Sequence, residues 1–357
     1  MLTFPAVQCF ILMMAAAPDS LTALLKATSR SFYLTLRVLP AAVRPQIGLA
    51  YLLARTTDTV ADTEILPVEQ RLAALQQLRE RILGQSSTPL NFRELAQQQG
   101  SPAEKLLLEK IEASLAELAA LPPGDLKLVR EVLVAITSGQ ELDLRRFAGA
   151  SDERIISLET AAQLDDYTYR VAGCVGEFWT KMCRAHLFPK ARLDDHQLIV
   201  DGIRFGKGLQ LVNILRDLPE DLKNGRCYLP AERLEPAHLL PEVLLSPVNE
   251  AKFLPVYHKY LAEAESHLAA GWAYTNRLPF GQFRVRLACA WPVLIGLRTI
   301  ERLRGANAMD LHRRVKVPRR EVRRILFVSL LASPVPWVWR KLYTPAGKAV
   351  APDSILA

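Results

Sequence analysis

The chain is expected to fold as a single all-α domain, and three features of its sequence say so. Apolar residues recur at three- and four-residue spacing, as in Leu72, Leu75, Leu78 and Ile82, and again in Leu106, Leu108, Ile111, Leu115 and Leu118, which lines one face of a helix. Short breakers such as Pro122, Pro123 and Gly124 divide these runs. Alternating stretches long enough for a useful strand are missing. Half of the 357 residues are hydrophobic, enough for a large core, so a disordered chain is excluded. The 17 Gly and 23 Pro show no period, which excludes collagen-like and low-complexity readings. No repeat of roughly 20 to 50 residues argues for a helical solenoid.

The spacing predicts helices over roughly 20–37 and 41–63, the second lined by Leu52, Leu53, Ala54, Val60 and Ala61. Helices over roughly 67–84 and 103–120 follow the two periodic runs, the latter stopped by the Pro-Pro-Gly breaker. Roughly 126–148, 159–184 and 194–218 come next; Pro219 should kink or end the last, because an internal proline removes a backbone bond and costs about 3 kcal/mol. A helix over roughly 248–277 ends at the breaker 276–281, and helices over roughly 282–304 and 318–332 complete the set.

The first 17 residues form an apolar run with no Lys or Arg before it, unlike an export signal. Met14 is an alternative start, and residues 1–19 are treated as an apolar extension. Five cysteines with no CxxC pair and no histidine at zinc spacing fit a reducing compartment, hence a cytoplasmic location. Net charge is +8, unevenly spread: residues 298–348 hold 13 basic and 3 acidic side chains, a local +10 that leaves the remainder at −2. The stretch 313–324 of this lobe lacks the interleaved aromatics of a nucleic-acid surface, and Val322, Ile325 and Leu326 give it a buried face, so no nucleic-acid partner is expected. The uncharged stretch 325–339 is shorter than the ~20 residues a spanning helix needs. Trp337, Trp339 and Tyr343 beside Arg340 and Lys341 suit a contact with a membrane surface, a plain core helix being equally open. The tail 321–357 is accordingly set apart from a main domain over 20–320.

Two carboxylate pairs carry the chemistry. Asp58 and Asp62 stand four apart with Arg55 before them, so a helix puts all three on one face. A lone DxxxD is more often a solvated face, but this helix is apolar, and unpaired carboxylates there are costly. Divalent cations offset that cost, and Mg²⁺ characteristically takes one or two carboxylates plus substrate phosphates. Asp217 and Asp221 repeat the pattern, with Arg216 before and Arg226 after. Two facing pairs at one end of an apolar cavity suit a ligand with a diphosphate head and a hydrocarbon tail. The six histidines show no HExxH and no neighbouring nucleophile and are read as structural or surface residues.

Over roughly residues 20–320 the sequence resembles the squalene/phytoene synthase family, the head-to-head isoprenyl diphosphate synthases. The resemblance rests on TSRSFY at 28–33, RTTDTVAD at 55–62, YTYRVAGCVG at 167–176 and QLVNILRDLPEDLKNGRCYLP at 210–230, in the family's order. The DTVAD and VAGCVG forms look more like squalene synthases, where phytoene synthases tend toward DELVD. The resemblance implies an isoprenoid-synthase-like helical bundle around a central apolar cavity, with Asp58, Asp62, Asp217 and Asp221 holding Mg²⁺ and Asn213 adding an amide oxygen. It implies diphosphate contacts from Ser29, Arg30, Ser31, Arg55, Gln210, Arg216 and Arg226, a task suited to the bidentate guanidinium. Tyr167 matches the family's tyrosine for proton removal and cation stabilisation, and Tyr51 a second nearby; Arg170 is left unassigned.

The implied reaction joins two farnesyl diphosphates to presqualene diphosphate and reduces that to squalene with NADPH. No GxGxxG follows a strand, so a Rossmann nicotinamide site is absent. The resemblance instead puts KVPRREV at 316–322 near the cofactor, with Lys316 and Arg319 as its contacts. Phytoene synthase and hydroxysqualene or dehydrosqualene synthase are the alternatives that share the metal motifs. A non-catalytic assembly factor is disfavoured by the intact aspartates, and a class I terpene cyclase by the likeness of the two DxxxD pairs.

Overall fold

The computed structural model describes residues 20–28, 32–310 and 314–343. Its helices are α1 (Ser20–Thr28), α2 (Phe32–Val38), α3 (Arg44–Ala61), α4 (Val68–Leu83), α5 (Arg93–Gln97), α6 (Pro102–Glu109), α7 (Ile111–Ala119), α8 (Pro123–Arg146), α9 (Ala161–Thr168), α10 (Cys174–His186), α11 (Asp195–Lys223), α12 (Ala231–Leu234), α13 (Glu250–Arg277), α14 (Phe283–Arg304), α15 (Arg319–Ala332) and α16 (Pro336–Lys341). The long helices α11 and α13 pack along each other at the centre, flanked by α10 and α14, and α8 carries α3, α4 and α10 against it. Leu53, Val60, Leu75, Leu133, Leu215, Phe253, Tyr257 and Leu268 belong to one continuous buried core, so the chain is one all-α domain as expected.

The expected helix over 103–120 is broken at Lys110, which leaves helical geometry at φ −98° and ψ 11°. The one over 159–184 contains a π segment, Tyr169–Gly173, between α9 and α10. Strand is confined, among the described residues, to β1 (Ile156–Ser157) and β2 (Arg226–Cys227), paired in parallel. Ile156 N–H donates to the Gly225 carbonyl at 2.8 Å, and Leu158 N–H to that of Cys227 at 3.0 Å. Gly225 turns the chain into this clasp at φ 76°, and a Cβ there would meet the Ser151 carbonyl oxygen at 2.3 Å.

The expectation that the helix ends near Leu218 is corrected: α11 runs through Pro219 to Lys223. A proline cannot donate to the carbonyl four residues back, but the Tyr257 hydroxyl donates to that Leu215 carbonyl at 2.9 Å, so the missing bond is replaced from α13. Asp217 and Asp221 thus share one face of an unbroken helix. The helices α10 and α11 cross closely because Gly176 and Gly202 meet; a Cβ on Gly176 would lie 1.9 Å from the Gly202 carbonyl oxygen.

The boundary drawn at 320/321 falls inside α15. Trp291 Nε1 of α14 donates to Ser329 Oγ at 2.9 Å, and Trp339 is buried, its ring stacked on Trp272 at 5.4 Å. Tyr343 also stacks on Trp272, at 5.7 Å. Of Trp337, Trp339 and Tyr343, only Trp337 stands exposed. No helix among the described residues is long and apolar enough to cross a membrane. Cys174, Cys183, Cys227 and Cys289 are buried and free.

Candidate active site

A cavity of about 400 Å³ opens between α3, α8, the α9–π–α10 segment and α11. From α3 come Tyr51, Arg55, Asp58 and Asp62, which the four-residue periodicity of the helix stacks along one side. Tyr167 ends the α9 contribution, and the π segment's widened turn keeps Val171 and Val175 on the same side as Tyr167. Gln210 enters from α11, and the β1–β2 clasp holds Arg226 and Tyr228 at the wall. Apolar lining comes from Ile136 and Leu144 of α8 with Val171 and Val175.

In each aspartate pair the first member is gripped by arginine. Arg55 pairs with Asp58 and, through its other terminal nitrogen, with Glu104. Arg216 binds Asp217 in a fork, Nε to Oδ1 at 2.9 Å and Nη2 to Oδ2 at 2.5 Å. Arg314 adds a third guanidinium contact to Asp217 at 2.8 Å. The second members feel only longer-range fields. Desolvation in the enclosed site, then the charge of Asp58, raises the Asp62 carboxyl to about 7, with Arg55 and Arg226 opposing. Desolvation and then Asp217 raise Asp221 to about 7, Arg226 again opposing. The Asp58 carboxyl is raised by burial, with Arg55 opposing.

Of the expected residues, the cavity gathers Tyr51, Tyr167, Arg55, Asp58, Asp62, Gln210 and Arg226. Asp221 belongs to the same electrostatic unit, since its charge acts on the Tyr167 hydroxyl together with those of Asp143 and Asp58. Asn213 lies beside Gln210, its Nδ2 donating to Gln210 Oε1 at 3.4 Å. Asp217 and Arg216 do not line the cavity wall, nor do Lys316 and Arg319, which are exposed. The Arg314 contact to Asp217 nevertheless draws the start of that basic segment over the second pair. Ser29, Arg30 and Ser31 lie outside the described residues; Tyr51 donates its hydroxyl to the Thr28 carbonyl at 3.1 Å, where that motif begins.

Three polar lining residues were not singled out from sequence: Gln140, Asp143 and Tyr228. The Tyr228 ring stacks on Tyr167 at 4.8 Å, and its hydroxyl donates to Asp143 Oδ2 at 3.1 Å. Burial raises the Asp143 carboxyl to about 6. Gln140 and Asp143 are three apart on α8, and two polar residues interrupting the apolar face of that helix were the available signal.

The donor set fits a hard cation. It is all oxygen, and Gln140 Oε1 and Asp143 Oδ1 are buried without a hydrogen-bond partner among the described residues. No three metal-ligating side chains stand together there. Mg²⁺ that takes one or two carboxylates and completes its shell with phosphate oxygens and water fits such pairs.

Fold and site define a helical enzyme class that sets clustered aspartates and arginines against an apolar cavity. Residues 25–321 match the squalene/phytoene synthase family. The presqualene diphosphate synthase of Rhodopseudomonas palustris is 32% identical over 260 residues, 71% of this chain and 77% of that protein. The bifunctional lycopene cyclase/phytoene synthase of Gibberella fujikuroi is 30% identical over 279 residues, 75% of this chain. The chain spans about half the length of such bifunctional relatives, covering 45% of this one. Among solved structures, TcSQS in complex with the ligand BPH1237 aligns with a TM-score of 0.72 at 23% identity, over 94% of this chain and 92% of that one, which shows the shared fold. The chain belongs to the squalene/phytoene synthase family. Members of the family are head-to-head prenyltransferases.

Proposed function

We propose that the chain condenses two farnesyl diphosphates head to head into presqualene diphosphate and reduces that intermediate to squalene with NADPH. The observation that carries this reading is the single cavity in which Asp58, Asp62, Arg55 and Arg226 meet an apolar wall and two tyrosines. The aspartate pairs would hold Mg²⁺, which when bound offsets charge on the departing diphosphate. Arg55 and Arg226 bind the diphosphate oxygens and keep their charge at every working pH. The apolar wall orients the isoprenoid chains and excludes the water that would otherwise quench a carbocation. The Tyr167 hydroxyl takes up the proton whose loss closes the cyclopropane while its own proton passes to the stacked Tyr228 and that of Tyr228 to Asp143 Oδ2, and Tyr51 lines the same cavity.

Lys316 and Arg319 supply cationic partners for the phosphates of NADPH in this reading, supported by the approach of their segment to Asp217 through Arg314. A second reading, in which the chain stops at presqualene diphosphate, is favoured by the relative of that name at 32% identity. Mass spectrometry of products from purified protein, Mg²⁺ and farnesyl diphosphate separates the two. Squalene formed only when NADPH is added supports the full sequence, and presqualene diphosphate under both conditions supports the shorter one. Turnover of geranylgeranyl diphosphate alone, giving phytoene, overturns both.

A further inference from the structure

We propose that a second cavity, of about 480 Å³, binds a small amphiphile whose anionic head meets Lys252, Lys259 and the Tyr260 hydroxyl and whose hydrocarbon chain lies on Leu164, Leu211 and Val256. The cavity opens between α9, α12 with the 3₁₀ turn that follows it, and α13, and α11 contributes Leu211. It shares no lining residue with the cavity described above. Two helices nevertheless serve both: α9 gives Leu164 and Thr168 here and Tyr167 there, and α11 gives Leu211 here and Gln210 there.

The sequence of α13 builds one wall. At 3.6 residues per turn, Lys252, Val256, Lys259, Tyr260, Glu263 and His267 fall within an arc of about 100° and span about 22 Å of the helix axis. Two polar groups on this stripe are buried without a partner. Tyr260 is 5% exposed and its hydroxyl has no hydrogen-bond partner among the described residues, nor has His267 Nδ1. A buried polar group left unpaired is costly, and both of these line the one cavity. Burial, with the charges of Arg204 and Lys207 adding to it, lowers the His267 imidazole to about 4, so this side chain offers a hydrogen bond without a charge.

Charge selects the head group. Asp165 is taken up by Lys207 at 2.6 Å, and Glu232 by the Ala161 N–H at 2.7 Å and by Arg233 at 3.7 Å. Burial raises the Glu263 carboxyl, which stands in the opposing fields of Arg233 and Lys207. Lys252 and Lys259 are exposed and form no ion pair among the described residues. The acids of this cavity are therefore already answered and two of its cations are not, which favours an anion. A few convergent polar groups over an apolar lining suit a small molecule. The inference stands on this cavity alone and does not rest on the reaction proposed above.

The test is titration calorimetry of the full chain with octyl phosphate in the presence of EDTA. Saturable binding of one molecule per chain is expected. Butyl phosphate should bind at least about tenfold more weakly, because it buries four fewer methylene groups. Tyr260→Phe should lower the affinity for octyl phosphate about tenfold, and Lys252→Glu combined with Lys259→Glu at least about tenfold. Arg55→Gln should leave it unchanged. Heat that never saturates overturns the proposal, as does equal affinity for octyltrimethylammonium or an affinity that neither the charge reversals nor Tyr260→Phe lowers. Loss of binding in Arg55→Gln also overturns it, by assigning octyl phosphate to the other cavity.

Discussion

Arg55 is shared between Asp58 and Glu104, so in the proposed reaction the guanidinium would exchange a carboxylate for a phosphate. The same exchange would face Asp217 and its two arginines, and a cation taking over the carboxylates would make it favourable in the proposed reaction. Asp58→Asn or Asp217→Asn should therefore lower turnover at least about a hundredfold at saturating Mg²⁺, with far-UV circular dichroism unchanged; steady-state kinetics of farnesyl diphosphate consumption checks this. Tyr167→Phe keeps the stack on Tyr228 and loses only the hydroxyl. It should bind farnesyl diphosphate nearly normally and form presqualene diphosphate at least about a hundredfold more slowly, as rapid-quench measurement of the first step would reveal. The aspartate pairs were legible because DxxxD in an apolar helix contradicts its surroundings. Asp143 was not, because one carboxylate among the four on α8 becomes part of a site only when Tyr228, 85 positions away, reaches it.

At the scale of the element, two local rules are broken and repaired from a distance. Pro219 sits inside α11, and the carbonyl it leaves open is satisfied by Tyr257 of α13. Tyr257→Phe should cost about 1–3 kcal/mol of stability, the penalty for a buried acceptor left without a donor, measured by urea denaturation. It should also slow turnover, since Asp217 and Asp221 lie on either side of that proline. Gly225 is the second case: Gly225→Ala forces a side chain into a positive φ and against the Ser151 carbonyl. The clasp should open, with Arg226 and Tyr228 displaced, and the readout is a fall in farnesyl diphosphate affinity larger than the fall in stability. The π segment was hidden for a related reason: its sequence is helical by pattern, and the widened turn arises where it packs on α11.

Across the molecule, the raised carboxyls tie stability to pH. Asp62 and Asp221 titrate near 7 and Asp143 near 6 in the folded chain, whereas unfolded carboxyls release their protons near about 4. Between these ranges the folded state binds more protons, so stability falls as pH rises. With chelator present, the melting temperature should drop from about pH 5 to about pH 8, and Asp62→Asn or Asp221→Asn should flatten the drop; Mg²⁺ added at the upper end should restore it. Differential scanning calorimetry reads each arm. The all-α class, most helix positions and the motifs that place the chain in its family were determined by the sequence alone, because amphipathic period and short-range spacing are local and survive in one dimension. Tertiary structure alone decided that α11 passes through Pro219, that Tyr228 and Asp143 join Tyr167, that Trp339 turns inward while Trp337 stays exposed, and which carboxylates arginine neutralises. Each of these depends on a partner contributed by another element, and packing chooses such partners after the helices have formed.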